Sequence, residues 1–448
     1  MVKVSSITYV KNGEKYIEQC IRSVMGQTLE EIEIIVVDGE STDATPEIVK
    51  RLAGEDKRIR VFTCAGSVGA QFNCGLKAAV GEYIGICEGD DYIPADKYEI
   101  LYGIAKENRC DIVKASYRQT VHVHGREYGF GINYRSEEVL ERVMEAGSRS
   151  DSFVRMGVDG FWSGIYKRSF LLDHAVFMNE TKGAAYQDIT FSFLAQLYAK
   201  RCYFLREPLH NYRLDNEEAS MYATGCIEAH YKEYDLLEGI LKERQIWDMY
   251  KDVFLAWELV SYRHFCCEAA GGTRNQRIRE VYGHLRRQIG DNDIRMTEDC
   301  LEMKGIYDAL MEGEDAFRAA ILKDEERDEH MLAYFMGRFY DEGKVAIFGA
   351  GHIGEILCTY VKLQGKEVLM IDNGKEAQER GCCGEKVYPA DVVEQNRKLT
   401  YLVANYKYGE IIRKQLLDMG IAKERIVLCQ NEDCFLRRIF AGVKNNGR

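Results

Sequence analysis

Two apolar runs near the N-terminus end in clustered acids, and this pairing limits the folds open to the chain. Ile32–Val37, rich in Ile and Val, leads to Asp38 and on through Gly39-Glu40-Ser41-Thr42 to Asp43. Tyr83–Cys87 runs straight into Glu88-Gly89-Asp90-Asp91. Short runs rich in β-branched and aromatic residues read as buried strands. Acids at the C-terminal ends of such strands stand at the lip of an α/β sheet, where ligands bind. Glu88, Asp90 and Asp91 crowd three negative charges at one lip. A shared hard cation such as Mg²⁺ or Mn²⁺ relieves that crowding, because oxygen ligands select such ions. An ion held between acids and a diphosphate helps a nucleoside diphosphate depart.

The flanking pattern agrees with a sheet. Val4–Val10 reads as a strand and Glu14–Met25 as a helix with Tyr16, Ile17, Cys20, Ile21 and Val24 on one face. Thr45 is expected as an N-cap, with Pro46 at the first helical position. Ile59–Thr63 is a strand, Ala70–Ala79 a helix, Asp96–Asn108 a helix and Ile112–Ser116 a strand. Tyr117–Tyr128 reads as a hairpin around His124-Gly125. Strands alternating with helices imply a parallel sheet covered on both faces.

From Ser150 the pattern is irregular, then helical. Glu217 to about Tyr340 holds no proline, and Trp247, Tyr250, Phe254, Trp257 and Tyr262 recur at helical spacing as a packed core. A second α/β unit opens at Lys344. Its strand runs into Gly349-Ala350-Gly351-His352-Ile353-Gly354, and Asp372 follows the next strand. Gly349, Gly351, Gly354 and Asp372 form a dinucleotide-type fingerprint in its strand–turn–helix setting. A nucleotide site and a purely structural use of the glycines are both open readings.

At 448 residues the chain is long enough for two to three domains. Its formal charge of −12 argues against a nucleic-acid partner. The first residues lack the basic and apolar regions of a signal peptide, and no apolar stretch approaches the roughly 20 residues that span a bilayer. The 15 cysteines are scattered, and the adjacent pairs Cys266-Cys267 and Cys382-Cys383 lack zinc-ligand spacing. They read as reduced thiols, largely buried, in a cytoplasmic protein.

Four collinear stretches resemble glycosyltransferase family 2, the nucleotide-sugar-dependent transferases of the GT-A fold. They are VSSITYVKNGEKYIEQCIRSVMGQTLEEIEIIVVDGESTDATPEIV, GAQFNCGLKAAVGEYIGICEGDDYIP, FWSGIYKRSFL and YQDITFSFLAQLYAKRCYFLREPLHNYR, together roughly the first 215 residues. The resemblance implies that Tyr9, Lys11, Asn12 and Asp38 hold the nucleotide base, Asp38 also being a plain turn residue before Ser41. It places Glu88-Gly89-Asp90-Asp91 where the family carries its metal-binding Asp-x-Asp, with Asp90 as direct ligand, Glu88 acting through water or the ribose, and Asp91 orienting the site. Asn73 matches the family's Asn-x-Gly, and the Arg often found before it is Phe72 here. Asp188 aligns with the catalytic base, preceded by Gln187 where Glu is usual, and also reads as a helix N-cap. Trp162 matches an aromatic residue of the acceptor region, or is core. His122, His124, His174 and His210 are given no role.

These readings imply an α/β chain. A GT-A nucleotide-sugar-binding domain covers 1–215, a helical region 216–340, a small Rossmann-like domain 341–432 and a basic amphipathic tail 433–448. The expected activity is an inverting, Mn²⁺- or Mg²⁺-dependent transfer from a nucleotide-diphospho-sugar, a UDP-sugar first among them. The expected acceptor is a glycan or lipid-linked molecule of surface-polysaccharide synthesis. The apolar face of the tail, Phe435, Leu436, Ile439, Phe440 and Val443, either docks on the C-terminal domain or gives a peripheral contact with the inner membrane face. The alternatives are an NAD(P)- or nucleotide-sugar-dependent oxidoreductase centred on the C-terminal domain, and a catalytically inactive nucleotide-sugar-binding protein.

Overall fold

The structure, a computed structural model, describes residues 1–123, 126–132, 139–145, 160–183, 186–216, 226–268, 271–292, 301–322, 330, 331, 333–335, 337–405 and 407–429. Two units divide it, Met1–Thr120 with Gly131–Ala320, and Val121–Phe130 with Ile321–Arg448. His124 and Gly125 and the tail 433–448 lie outside the described residues.

The first unit begins β1 (Val4–Val10), α1 (Ile17–Met25), β2 (Ile32–Asp38), α2 (Thr45–Glu55), β3 (Ile59–Thr63), α3 (Val68–Ala78), β4 (Tyr83–Ile86), α4 (Lys97–Asn108). Then come β5 (Ile112–Val123) and β6 (Arg126–Ile132), whose residues 121–130 fall in the second unit, and β7 (Val143–Glu145), β8 (Gly164–Lys167), α5 (Arg168–Asp173), α6 (Asp188–Tyr198) and β9 (Arg201–Arg213). The sheet order is β3-β2-β1-β4-β8-β5-β9-β7, with β6 on β5. The expected parallel sheet holds for β3-β2-β1-β4. It becomes mixed beyond, because β8 runs antiparallel between β4 and β5. The expected Ile112–Ser116 strand and 117–128 hairpin form one long strand, β5, followed by β6.

Both faces of the first strands are buried, which is why they read as continuous apolar runs. Ile34 and Val36 pack with Ile17, Cys20, Ile21 and Val24 of α1 and with Tyr98 and Leu101 of α4. Ile7 and Val37 face α3 at Gly75, where an added Cβ would meet Ile7 at 2.7 Å. The expected Thr45 cap is corrected. Thr45 is the first residue of α2, and the N-cap is Ala44, with no side-chain capping bond. The Thr45 hydroxyl instead accepts the Gly13 amide at 2.9 Å, tying the loop after β1 to α2.

Helices α7 (Cys226–Glu243), α8 (Trp247–Glu268), α9 (Gly271–Asn292), α10 (Leu301–Glu312) and α11 (Glu314–Leu322) follow. Trp247, Tyr250, Phe254, Trp257 and Tyr262 of α8 are all buried, as their spacing predicts. The second unit carries β10 (Lys344–Phe348), α12 (His352–Leu363), β11 (Glu367–Ile371), α13 (Lys375–Arg380), β12 (Val387–Tyr388), β13 (Tyr401–Val403), α14 (Gly409–Asp418) and β14 (Ile426–Leu428). Its sheet is parallel, in the order β12-β11-β10-β13-β14.

Candidate functional site

A cleft of about 1120 Å³ opens over the C-terminal ends of β1 to β4. Tyr9 to Tyr16 line it beyond β1, Thr42 and Asp43 beyond β2, and Gly66, Ser67, Val68 and Gln71 beyond β3. Glu88, Gly89 and Asp90 line it beyond β4. Glu180 to Gly183, Tyr212 and Asn216 complete the wall. Its place is the lip where open α/β sheets bind ligands.

The acids in the cleft repel one another. The Tyr9 hydroxyl donates to Glu88 Oε1 at 2.5 Å, and Asn216 Nδ2 donates to Asp90 Oδ2 at 2.8 Å. Burial, then the Asp90 charge, push Glu88 up to about 8 against the hydrogen bond from Tyr9, and Asp188 adds to the push. Carboxylate oxygens under mutual repulsion are the donors a hard divalent cation takes, so Glu88 and Asp90 fit such an ion. Among the described residues no group of three or more His, Cys, Asp or Glu side chains is arranged to hold a metal.

Asp91 stands apart from its two neighbours. It is buried and absent from the cleft wall, where the resemblance had grouped it with the metal acids. Its Oδ1 accepts the Arg213 amide at 2.9 Å, and its Oδ2 lies 2.8 Å from His210 Nε2. His210 Nδ1 is 3.0 Å from Lys97 Nζ, which donates to Trp162 O at 2.9 Å. With the ammonium donating to Nδ1, His210 carries its proton on Nε2 and donates it to Asp91. A neutral imidazole thus bridges Lys97, which burial holds down to about 8, and Asp91, which burial and then the Asp90 and Glu88 charges push well up. Burial and the Lys97 charge hold His210 well below its usual range, which keeps it neutral. His210, given no role on sequence, is therefore a structural linchpin. Replacing it with Ala leaves the buried Lys97 and Asp91 side chains without their shared partner. We expect a stability loss of about 3–5 kcal/mol in urea unfolding, as for other broken buried pairs; a loss below about 1 kcal/mol excludes the relay.

Arg213 was also missed. Its Nε donates to Asp90 O at 2.8 Å and its Nη2 to Gln19 Oε1 at 2.6 Å. The guanidinium lies over the rings of Tyr16 and Tyr92. It holds the backbone of the acid turn from behind. The terminal Arg of the HNYR stretch was the available signal, but nothing local pointed it at residue 90.

The other expected site residues divide. Tyr9, Lys11 and Asn12 line the cleft. Asn12 sits at φ 54, and its amide oxygen accepts from Thr42 N while its own N–H donates to Ser41 Oγ, both at 2.8 Å. Asp38 does not line the cleft; both its carboxylate oxygens accept the Ser41 amide at 3.3 Å, a turn bond. Asn73 also lies off the cleft. Its amide bonds Met178 N and O and Glu180 Oε1, which fixes the segment carrying Glu180. Trp162 lies outside the wall as well, stacked on Tyr212 at 5.1 Å and His210 at 4.3 Å; Tyr212 is the ring of this stack that reaches the cleft. Phe72 packs against Tyr9, Phe161 and Phe191, so an aromatic core stands where an Arg was expected.

Asp188 opens α6 as its first residue, and the N-cap position belongs to Gln187, whose side chain makes no capping bond. Burial, with a smaller push from Glu233, raises Asp188 to about 6. It is not in the cleft wall, but its charge acts on both Tyr9 and Glu88. Tyr186, just before, holds a left-handed φ of 67, a strained conformation for an aromatic residue. Gln187 needs both ends of its amide. Nε2 donates to Thr181 O at 2.7 Å and Gly183 O at 3.1 Å, while Oε1 accepts Gly69 N at 2.8 Å. A Glu there could not donate to those carbonyls, which accounts for the Gln.

In the second unit, Gly349 (φ 118) turns the chain after β10, and an added Cβ at Gly354 would meet Gly349 O at 1.9 Å. Gly351 is the N-cap position of α12. Asp372 accepts Ala350 N at 2.8 Å and Gly374 N at 2.7 Å. The four fingerprint residues thus assemble one turn at the end of β10.

Comparison with known proteins places this geometry. Residues 5–162 match the model described as glycosyl transferase family 2. The N-terminal region is a glycosyl transferase family 2 domain. Residues 341–427 match a different model, C2185-like, N-terminal. The chain is 30% identical over 218 residues to a putative glycosyltransferase, EpsH, of Bacillus subtilis, covering 47% of this chain and 60% of that protein. It is 35% identical over 116 residues to a poly(ribitol-phosphate) beta-glucosyltransferase of Bacillus spizizenii, covering 25% of this chain and 18% of that protein. The chain spans 60% of the length of each of the first two curated relatives it matches. S. aureus TarS 1-349 in complex with UDP-GlcNAc is similar in fold, with a TM-score of 0.55 at 20% identity, over 72% of this chain and 92% of that one. The family 2 domain is therefore GT-A-like, with a helical region after it and a separate parallel sheet at the C-terminus.

Proposed function

We propose that the chain is an inverting, metal-dependent glycosyltransferase that takes a sugar from a nucleoside-diphospho-sugar, a UDP-sugar first, to a glycan or lipid-linked acceptor in surface-polysaccharide synthesis. The observation that carries the reading is the cleft at the strand ends, into which Glu88 and Asp90 both face. Its volume of about 1120 Å³ leaves room for a nucleotide sugar, and TarS, of like fold, was crystallised with UDP-GlcNAc. The poly(ribitol-phosphate) glucosyltransferase activity for which the B. spizizenii relative is named supports a polymer acceptor.

Each residue has a task in this reading. Tyr9, Lys11 and Asn12 hold the base and ribose end of the donor, and Asp38 shapes their loop through its turn bond. Glu88 and Asp90 hold Mn²⁺ or Mg²⁺, which when bound neutralises the departing diphosphate. Asp91, Arg213 and Asn73 keep the walls in place. Tyr212, backed by Trp162, offers a ring face to the acceptor sugar. Asp188 takes the proton from the attacking hydroxyl. Single displacement needs only this one base. Incubation with a panel of nucleotide sugars and divalent metals, read as nucleotide release with and without acceptor, tests the whole scheme. Release from no donor under any metal would leave only a binding role.

The second unit is read as a Rossmann-like nucleotide site, with Gly349, Gly351, Gly354 and Asp372 at the ligand end of β10. Equilibrium dialysis with NAD and UDP tests it. The domain limits at 215, 340 and 432 belong to the same reading. Among the described residues no helix is long and apolar enough to cross a membrane. The expected cytoplasmic placement with peripheral membrane contact rests on residues 433–448. Flotation with anionic liposomes of the intact chain, but not of one ending at Glu432, is the expected result; equal flotation removes that role.

A further inference from the structure

Three cysteines gather on one side of α12. Cys358 lies in the helix and is buried, Cys382 is buried, and Cys383 is exposed. Cys382 to Glu385 form a tight reversal. Cys382 N donates to Glu385 O at 3.0 Å, and Glu385 N to Cys382 O at 2.8 Å. Its central residues, Cys383 and Gly384, have φ of 51 and 78, the left-handed pair that such two-residue turns require. The turn presents Cys383 to α12. Thr359 Oγ1 lies 3.6 Å from its sulfur, and Lys362 Nζ donates to its carbonyl at 3.0 Å and to Glu385 Oε1 at 2.7 Å.

We propose that Cys383 is a reactive thiol site that hydroperoxides oxidise, and that Cys358 resolves the product to an intramolecular disulfide. The site has the parts that selective thiol oxidation needs: an accessible sulfur, a nearby cation and a second thiol within reach. Hydrogen bonds from Cys358 and then Cys382 lower Cys383, with Thr359 and the Lys362 charge adding to the effect. Glu355 O, 3.5 Å from the same sulfur, favours the protonated form and is outweighed. Cys358 is pushed far up by its bonds to the other two thiols, so it is the protonated partner.

The chemistry balances. The Cys383 thiolate attacks the distal oxygen of the hydroperoxide, the O–O bond breaks, and an alkoxide leaves and takes a proton. The resulting sulfenic acid is attacked at sulfur by Cys358. The S–S bond forms, the S–O bond breaks, and hydroxide leaves with the Cys358 proton as water. Two thiols lose two electrons, and the peroxide becomes an alcohol and water. Cys358 is preferred over Cys382 as the resolving group, because a bond between adjacent cysteines would distort the turn that the two Cys382–Glu385 backbone bonds hold.

The intact chain is the test material. Under limiting iodoacetamide at pH 7, Cys383 should alkylate about tenfold faster than the partly exposed Cys64 and Cys74. Its rate should rise less steeply between pH 6 and 8 than that of Cys64 or Cys74, since an ordinary thiol gains nearly tenfold per unit there. Cumene hydroperoxide followed by non-reducing peptide mapping should join Cys358 to Cys383. In Cys358→Ser, Cys383 should stop at a sulfenic acid that dimedone traps. Alkylation of Cys383 no faster than Cys64 or Cys74, or peroxide products lacking the Cys358–Cys383 bond, overturns the proposal. Both measurements on the unmutated chain stand even if the variant fails to fold.

Discussion

Asp188→Asn should lower turnover by about 10²–10⁴ while leaving donor affinity near its parent value, because a general base acts in the transition state. The substitution is nearly isosteric, and Asp188 lies outside the cleft wall, so nucleotide contacts survive it. The pH profile gives a second check. Burial raises Asp188 to about 6, and the base works only when ionised. With Mn²⁺ saturating, so that Glu88 is held ionised, the parent's kcat/KM should be flat above about 6 and fall tenfold per unit below it. The residual activity of the Asn variant should lack that limb. The stability sign runs the other way. A carboxyl raised on folding stabilises the native state at low pH, and that contribution is lost as pH rises through the folded value. At neutral pH the Asn variant should therefore be at least as stable as its parent. Equal losses of donor binding and turnover, or a less stable variant, would make Asp188 a structural residue.

Asp90→Ala should abolish metal-dependent UDP binding while the fold survives. Asp90 is half-buried, its backbone carbonyl keeps the Arg213 bond, and among the described residues the side-chain bond lost is that of Asn216. Calorimetry of UDP with and without Mn²⁺ measures the effect. A built-in control comes from Glu88, which the Asp90 charge helps push up to about 8. Cation binding at pH 7 should thus release close to one proton, seen as a heat that varies with the buffer. The variant should lose both the binding and the proton. Metal-dependent binding of undiminished strength would remove Asp90 from the ligand set.

What could be read in advance depended on how far the deciding partner lay along the chain. β1 and β3 stand at their expected limits, because an apolar run between turn residues carries its own boundary. The acid turn after β4 was visible for the same reason. Side-chain direction was not. Asp91 is adjacent to Asp90, yet its partner His210 lies 119 residues away, and that bond turns it inward. Asn73 is claimed by Met178, 105 residues on. Trp162 carries an aromatic ring suited to a sugar, but β9 sets Tyr212 against it, and Tyr212 takes the place on the cleft wall. The change to a mixed sheet also escaped, because the direction of β8 follows from a connection with no local signature.

The segment from Met178 to Gly183 has a consequence for how such a chain can diversify. Asn73 holds its beginning, Gln187 holds Thr181 and Gly183, and Glu233 of α7 receives Asn179 and the Thr181 hydroxyl. The anchors come from three separate helices or their caps, while Lys182 turns outward on the cleft wall. Selection can therefore exchange the outward residue with little effect on the trace that carries it. Related chains that keep the three anchors are free to drift at the position of Lys182, and their donor and acceptor preferences can part there before their folds do.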